Sequence, residues 1–480
     1  MNTMSHSLAL LTDLYQLTMA YGYWRQGLAT DGTESVFHLF FRRAPFKGHY
    51  AICAGLEHAL DYLTGLHFAE DDLAYLSELR SPSGSLLFDA GFLDYLRAFR
   101  FTAAVDAIAE GEVVFPHEPL LRLQGNLVDC QLVETALLNV INFQTLVATK
   151  GARVAAAAGG DPVLEFGLRR AQGVDGALAA SRAAYLGGCA ATSNVLAGKR
   201  FGIPVRGTHA HAWVMVFGDE KEAFQAYAAA MPGNCTLLVD TYDTLRGVEH
   251  AIEVGLELRT RGHDLAGIRL DSGDLTALSI AARELLDNAG FQRTAIVASN
   301  DLDEAGIAAL RAGGSRISIW GVGTRLVTSH DQPALGGVYK LAAIRRPGGN
   351  WQDRIKLSND LIKVSNPGLQ GVRRFEAAEG PITDVIYDTR LGCTALPDGQ
   401  PLPDAPSRDL LVPVLRDGAR VGPAGDLVAA RQRAIEGCAR FGVTAESLGG
   451  RPHPVVLDRA VADRKASLVA HWRTTTGKES

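Results

Sequence analysis

At 480 residues, 47% hydrophobic and 21% charged, the chain has material for two or three globular domains. Its 47 basic and 53 acidic side chains leave a net charge of −6, which argues against general affinity for nucleic acid or an anionic membrane, while local cations can still hold an anionic substrate. With no run of about 18 apolar residues, no basic start and six cysteines scattered without a C-x-x-C pair, a cytoplasmic protein with reduced thiols, no membrane span and no signal peptide is expected.

Residues 1–125 read as a mixed α/β domain. Residues 13–24 have helical spacing, and Ser35-Val-Phe-His-Leu-Phe-Phe41 reads as a strand. From 126 to 345, a catalytic domain by this reading, short β-rich runs alternate with helix-like segments. The runs are Pro162-Val-Leu-Glu-Phe166, Ile203-Pro-Val205, Thr236-Leu-Leu-Val-Asp240, Ala266-Gly-Ile-Arg-Leu270, Thr294-Ala-Ile-Val-Ala298 and Arg316-Ile-Ser-Ile-Trp320. Residues 274–289 set Leu275, Leu278, Ala282, Leu285 and Leu286 on one face before Gly290, and residues 301–312 repeat the plan before Gly313. Strand, loop and helix repeated about six times predict a parallel sheet; the spacing suits a (β/α) barrel, with a doubly wound open sheet as the alternative. From 346 to 480 Pro and Gly increase, and Leu410-Leu-Val-Pro-Val-Leu415 reads as an edge strand because proline is poorly tolerated inside a sheet.

In a barrel the loops after the strands carry the chemistry. Here they read Gly167-Leu-Arg169-Arg170, Gly207-Thr-His-Ala-His211, Arg269-Leu-Asp271-Ser-Gly-Asp274, Ser299-Asn300-Asp301 and Gly321-Val-Gly323-Thr324. Asp274 and Asp301 suit the N-caps of the helices that follow, and the arginine pair alone would pass for a solvated turn. Together, arginines, acids, histidines and a glycine-rich loop on one rim describe a site for a polyanion, because backbone N–H groups and helix N-termini favour phosphate. A P-loop is absent, and Gly321-Val-Gly323 lacks the third glycine of a dinucleotide fingerprint. His209 and His211 would share one side of a strand and could pair on a metal, but no third His or Cys lies near in sequence.

The motifs Thr12-Asp-Leu-Tyr-Gln-Leu-Thr-Met19, Glu165-Phe-Gly-Leu-Arg-Arg-Ala-Gln172, Gly207-Thr-His-Ala-His211, Val239-Asp-Thr-Tyr242, Arg269-Leu-Asp-Ser-Gly-Asp274, Gly321-Val-Gly-Thr324 and Leu335-Gly-Gly-Val-Tyr-Lys-Leu341 follow one another in order. They resemble the nicotinate phosphoribosyltransferase family nearly end to end. The resemblance implies an α/β protein: an irregular (β/α) barrel beside a second mixed α/β domain formed from the N- and C-terminal parts of the chain, in a homodimer with a shared active site. It implies that nicotinate and 5-phosphoribosyl-1-pyrophosphate give nicotinate mononucleotide and pyrophosphate, coupled to ATP hydrolysis, with Mg²⁺ bridging the pyrophosphate.

On the same resemblance His211 becomes phosphorylated. Neutral imidazole, with an ordinary pKa near about 6.5, is available to attack the γ-phosphate of ATP. His209 stands where members vary, and is a bystander or a substrate-side contact. Asp271 matches the ribose-side acid, placed to stabilise the positive charge that develops as pyrophosphate leaves. Phe166 and the partner subunit's Tyr15 would flank the nicotinate ring, while Arg169, Thr208 and Arg269 meet its carboxylate or the phosphates. Gly321, Gly323 and Thr324, with Ser299 and Asn300, would bind phosphate. In Lys363-Val-Ser365-Asn-Pro-Gly368 a serine replaces the threonine of some members, and Ser365 keeps a hydroxyl for phosphate. Glu165 reads as a general base or as an orienter of a nearby group.

Nicotinamide phosphoribosyltransferase shares the architecture; Gly-Thr-His-Ala-His and Glu-Phe-Gly-Leu-Arg-Arg favour the acid-specific enzyme. A barrel aldolase or isomerase acting on a sugar phosphate would need a lysine or carboxylate base at a strand end and no ATP. A ligand sensor without turnover would bind tightly and form no nucleotide.

Overall fold

The computed structural model describes residues 7–422, 425–444, 447 and 450–475. Residues 1–6 of the stretch read for a signal peptide lie outside these. The chain divides into two units, Met1–Thr145 with Ala334–Asp426 and Arg451–Ser480, and Leu146–Pro333 with Leu427–Gly450. These divisions differ from the sequence boundaries at 125 and 345. The helix Leu427–Arg440 also goes with the second unit, where Arg431 donates to the carbonyls of Gly188 and Cys189 at 3.0 and 3.1 Å. Among the described residues no helix is long and apolar enough to cross a membrane.

The first unit holds a seven-stranded antiparallel sheet in the order Gln352–Asp353, Gly337–Arg345, Glu34–Phe41, Leu121–Asn126, Ala104–Ile108, Leu411–Arg416 and Ala419–Arg420. Glu34–Phe41 is central, and its β-branched and aromatic run is buried from Ser35 onward. Leu411–Arg416 is not the edge strand expected for it, since Ala104–Ile108 and Ala419–Arg420 flank it. Pro413, with no N–H to donate, sits at a register shift that lets the pairing resume at Leu415. A second sheet orders Ser407–Asp409, Gln370–Ala377, Gly380–Asp388 and Val455–Leu457, none of them anticipated from sequence.

The second unit carries six parallel strands: β1 (Val163–Glu165), β2 (Ala191–Thr192), β3 (Thr236–Leu238), β4 (Gly267–Leu270), β5 (Ala295–Ala298) and β6 (Ile319–Val322). Their sheet order is β2-β1-β6-β5-β4-β3, so chain order is cyclic and β6 returns to β1. Of the run at 203–205 only Val205 pairs, as a single parallel bridge to Thr192. No pairing among the described residues joins it to β3, and the ring expected of a barrel has one opening there. The last strand begins three residues later than the run at 316–320 suggested, and pairs Trp320 with Val163.

Local chemistry explains where the helices start. Asp274 accepts the N–H groups of Thr276 and Ala277 at 3.0 and 3.1 Å and caps Leu275–Asn288, which buries Leu275, Ser279, Ala282 and Leu286 in one stripe. Gly290, at φ +83, ends that helix in the left-handed region open to glycine. The next helix is Glu304–Ala312, capped by Asp303 rather than Asp301, with Gly314 and not Gly313 at positive φ.

Candidate active site

The C-terminal ends of β4 and β5 and the segment after Val205 bring Arg269, Asp271, Ser299, Thr208, His209 and His211 together in the second unit. Arg269, on β4, is the hub. Its Nε donates to Ser299 Oγ at 2.8 Å, Nη1 to Thr208 Oγ1 at 3.2 Å and to the His209 carbonyl at 3.4 Å, and Nη2 to Asp271 Oδ1 at 3.3 Å. A guanidinium has five N–H donors, so one on Nη2 is left for a ligand among the described residues. Ser299 Oγ also donates to Asp271 Oδ1. Burial opposes the Asp271 charge, but the Ser299 hydroxyl and the Arg269 guanidinium outweigh it and hold the carboxyl below its usual range.

His211 is the first residue of the helix His211–Val216, and its side chain is 40% exposed. Its Nδ1 lies 3.2 Å from Thr241 Oγ1 and its Nε2 3.9 Å from Asp271 Oδ2. Thr241 and its neighbour Asp240 had no role assigned from sequence, although both lie in the Val239-Asp-Thr-Tyr242 motif. Asp240 Oδ2 accepts Asp271 N–H at 2.8 Å and Ser272 O–H at 2.7 Å. Its Oδ1 is buried with no hydrogen-bond partner among the described residues, an acceptor held open beside the acid.

The two histidines do not share a strand face as the sequence spacing suggested, because residues 206–210 are outside any strand and the helix begins at His211. His209 turns inward, edge-on to Tyr227 with ring centroids 4.7 Å apart, and its Nε2 accepts Leu238 N–H at 3.2 Å. It therefore spans the opening in the strand ring. Burial, more than the nearby Arg269 and His211, depresses its pKa and keeps the imidazole a neutral acceptor. The unfolded chain then binds a proton more readily than the folded one. Stability from this contact is full above the unfolded pKa of about 6.5 and is lost as pH falls below it. Thermal unfolding of His209→Gln is expected to depend less on pH than that of the parent between about pH 7.5 and 5. Parallel curves would discount the buried imidazole.

Phe166 N–H donates to Val322 O at 2.8 Å, which lays the turn after β1 against β6. A Cβ on Gly321 would sit 2.8 Å from the Phe166 ring, and one on Gly323 3.2 Å from its carbonyl oxygen. Both glycines thus make room for Phe166 rather than for a ligand alone. Gly167 is equally constrained, since a Cβ there would run into Val327. Gly321→Ala is expected to cost roughly 1–3 kcal/mol by overpacking, and to raise the KM for the aromatic substrate about tenfold, with kcat less affected. Calorimetric unfolding and steady-state kinetics check both.

Glu165 is wholly buried, and its carboxylate accepts Gly167 N–H, Ser181 O–H at 2.8 Å and Thr192 O–H at 2.6 Å. A buried carboxylate with three donors is an orienter; no face of it is left for substrate as a general base. It braces the turn that carries Leu168–Arg170, on which Arg169 stands exposed. Thr324 and Asn300 are also exposed, and Asn300 has a positive φ of 143°.

Tyr15 and Ser365 belong to the first unit. Tyr15 lies on Leu14–Arg25 with 48% exposure, so it is not a core residue. Ser365 is buried, and its hydroxyl accepts Lys356 N–H at 2.9 Å, which leaves its own hydrogen for another partner. The first unit also gathers cations that sequence spacing did not reveal. Burial, then Lys465 and Arg42, lowers the His117 pKa; burial, then Arg42 and Lys356 against a pull from Glu134, lowers that of Lys340. The Lys340 and Lys465 ammonium groups meet neutral oxygens, Tyr339 O at 2.7 Å and Asn366 Oδ1 at 2.8 Å. Cationic side chains gathered in this way suit an anionic ligand.

Residues 10–142 match the family model for the nicotinate phosphoribosyltransferase N-terminal domain. A Bacillus subtilis protein named nicotinate phosphoribosyltransferase is 51% identical over 370 residues, 77% of this chain and 73% of its own length. The human protein of that name is 38% identical over 434 residues, 78% of this chain and 79% of its own. The crystal structure of human nicotinic acid phosphoribosyltransferase superposes with a TM-score of 0.83 at 33% identity, covering 96% of this chain and 100% of that one.

Proposed function

The chain belongs to the nicotinate phosphoribosyltransferase family, and from that premise we propose how its residues carry out the reaction. The enzyme joins nicotinate to 5-phosphoribosyl-1-pyrophosphate in NAD salvage. The pyridine nitrogen attacks the ribose C1 as the C–O bond to pyrophosphate breaks, giving nicotinate mononucleotide and pyrophosphate. Asp271, charged and held beside Arg269 and Ser299, faces the positive charge that develops on the sugar. The open Oδ1 of Asp240 takes a donor from the same ligand. Phe166 supports the aromatic ring, and Arg169 and the free N–H of Arg269 meet the carboxylate or the phosphates.

ATP enters through His211. A ring nitrogen of the neutral imidazole attacks the γ-phosphorus, the bond to the β–γ bridging oxygen breaks, and ADP leaves; water later cleaves the P–N bond to phosphate and free imidazole. The observation that carries this reading is the placement of His211, half-exposed on a short helix with Thr241 on one ring nitrogen and Asp271 beyond the other. Mg²⁺ comes with the phosphate substrates: among the described residues no group of three or more His, Cys, Asp or Glu is placed to hold a metal ion, and hard phosphate oxygens suit the cation.

The rest of the reading follows the family. The six strands act as an irregular barrel, the Ser299–Asn300 and Gly323–Thr324 loops take phosphate, and two copies form a homodimer in which the partner subunit's Tyr15 reaches the ring. Cysteines without disulfide partners suit the cytoplasm. The test measures nicotinate mononucleotide formation with and without ATP, using nicotinate or nicotinamide as acceptor. Nicotinate turnover accelerated by ATP is expected; preference for nicotinamide, or indifference to ATP, would sink the assignment.

A further inference from the structure

Behind the two loops assigned to phosphate lies an ion network that no step of the reaction uses. Lys150 is completely buried on the helix Glu134–Ala158, and its ammonium sits 2.7 Å from Glu304 Oε2 and 2.7 Å from Asp331 Oδ2. Arg153, one turn further on, donates to Glu304 Oε1 at 2.8 Å. Glu304 opens the helix that follows the loop after β5, and Asp331 lies just beyond the short helix Thr324–Val327 that follows the loop after β6. Arg325, on that short helix, reaches across to Asp301 at 2.9 Å and Asp303 at 2.8 Å on the first loop. The short helix after the second loop is therefore tied directly to the first loop, and Lys150 ties the residues that follow both.

Two further facts bear on what the ties are for. Asn300, in the loop after β5, has a positive φ of 143°, and Ser329, between the helix Thr324–Val327 and Asp331, has one of 47°. Such backbone persists only where the surroundings over-determine it. A wholly buried ammonium is also a poor way to add stability, since an apolar side chain of similar volume in place of a buried ion pair is often neutral or better. A charge kept there points to geometry.

We propose that Lys150 is a positioning residue: by bridging Glu304 and Asp331 it fixes the spacing of the Ser299–Asn300 and Gly323–Thr324 loops, and so the grip on the pyrophosphate end of the sugar substrate. Lys150 itself touches no substrate. The inference rests on the proposed assignment of those loops to phosphate.

The experiment uses the full chain and three variants. Asp331→Asn removes one tie from a half-exposed position and spares the buried lysine's other partner, so it keeps the fold. Lys150→Met removes both ties at similar volume, and the double variant tests whether they act as one unit. The KM for 5-phosphoribosyl-1-pyrophosphate is expected to rise about tenfold in each, with little further loss in the double variant and the KM for nicotinate unchanged. Calorimetric binding of magnesium pyrophosphate without nicotinate should weaken in parallel, and this arm stays readable if turnover fails for other reasons. Wild-type pyrophosphate affinity in Asp331→Asn, or equal increases in both KM values, would overturn the proposal.

Discussion

Replacing His211 with alanine is expected to leave a folded protein that takes up no phosphoryl label from ATP and turns over on the order of 10²-fold or more slowly in its presence. The fold should survive because the imidazole is only partly buried and makes one hydrogen bond, to Thr241. The basal reaction without ATP should persist, since Asp271, Arg269 and Ser299 hold one another without help from the imidazole. Mixing γ-labelled ATP with each protein, then quenching in alkali to keep the P–N bond, reads the label directly. Label retained by the alanine variant would move the phosphosite, and His209 is a poor alternative because its Nε2 is committed to Leu238.

Asp271→Asn should be the more damaging change to the transfer itself, with kcat falling on the order of 10²–10³-fold. An amide keeps the shape, and its oxygen can still accept from Ser299 and Arg269, so little stability is at risk. What it loses is the negative charge beside the developing cation. The Ser299 and Arg269 contacts hold the Asp271 carboxyl low against the effect of burial, so it stays ionised throughout the working pH range. A group with a depressed carboxyl pKa contributes stability above the unfolded value and loses it only as pH falls through the folded one. The loss in kcat should therefore be flat from about pH 6 to 9. A loss that grew steeply within that window would assign the titration to Asp271 instead.

The strongest parts of this picture were legible in the chain alone. Ala295–Ala298 and Glu34–Phe41 announce themselves through apolar runs rich in β-branched or aromatic residues, and Asp274 with Gly290 brackets its helix by cap chemistry. Ala191–Thr192 could not be seen, because two residues carry no periodicity. The pair Gln370–Ala377 and Gly380–Asp388 was missed for another reason. Arg374 and Asp384 interrupt the apolar alternation, yet they are buried against each other at 2.6 Å, a pairing visible only across the strands. The site shows the same limit. His211, Arg269 and Asp271 stand out as polar residues in loops or at strand ends, whereas Thr241 matters only because folding puts it 3.2 Å from an imidazole thirty positions away. Gly321 looked like a phosphate glycine until the ring of Phe166 was found in the space its side chain would fill.

The two end strands of the six-stranded parallel sheet, β2 and β3, do not pair with each other among the described residues, and this gives the second unit a kind of slack. A closed ladder would bind residues 206–210 on both sides, and any shift of His211 would have to tear main-chain bonds. Here the segment hangs from Thr192 at one end and is held at the middle by side chains alone, His209 on the Leu238 N–H and Arg269 on Thr208 and the His209 carbonyl. The imidazole proposed to carry the phosphate therefore sits at the end of a short tether, and a shift of it would break no strand pairing.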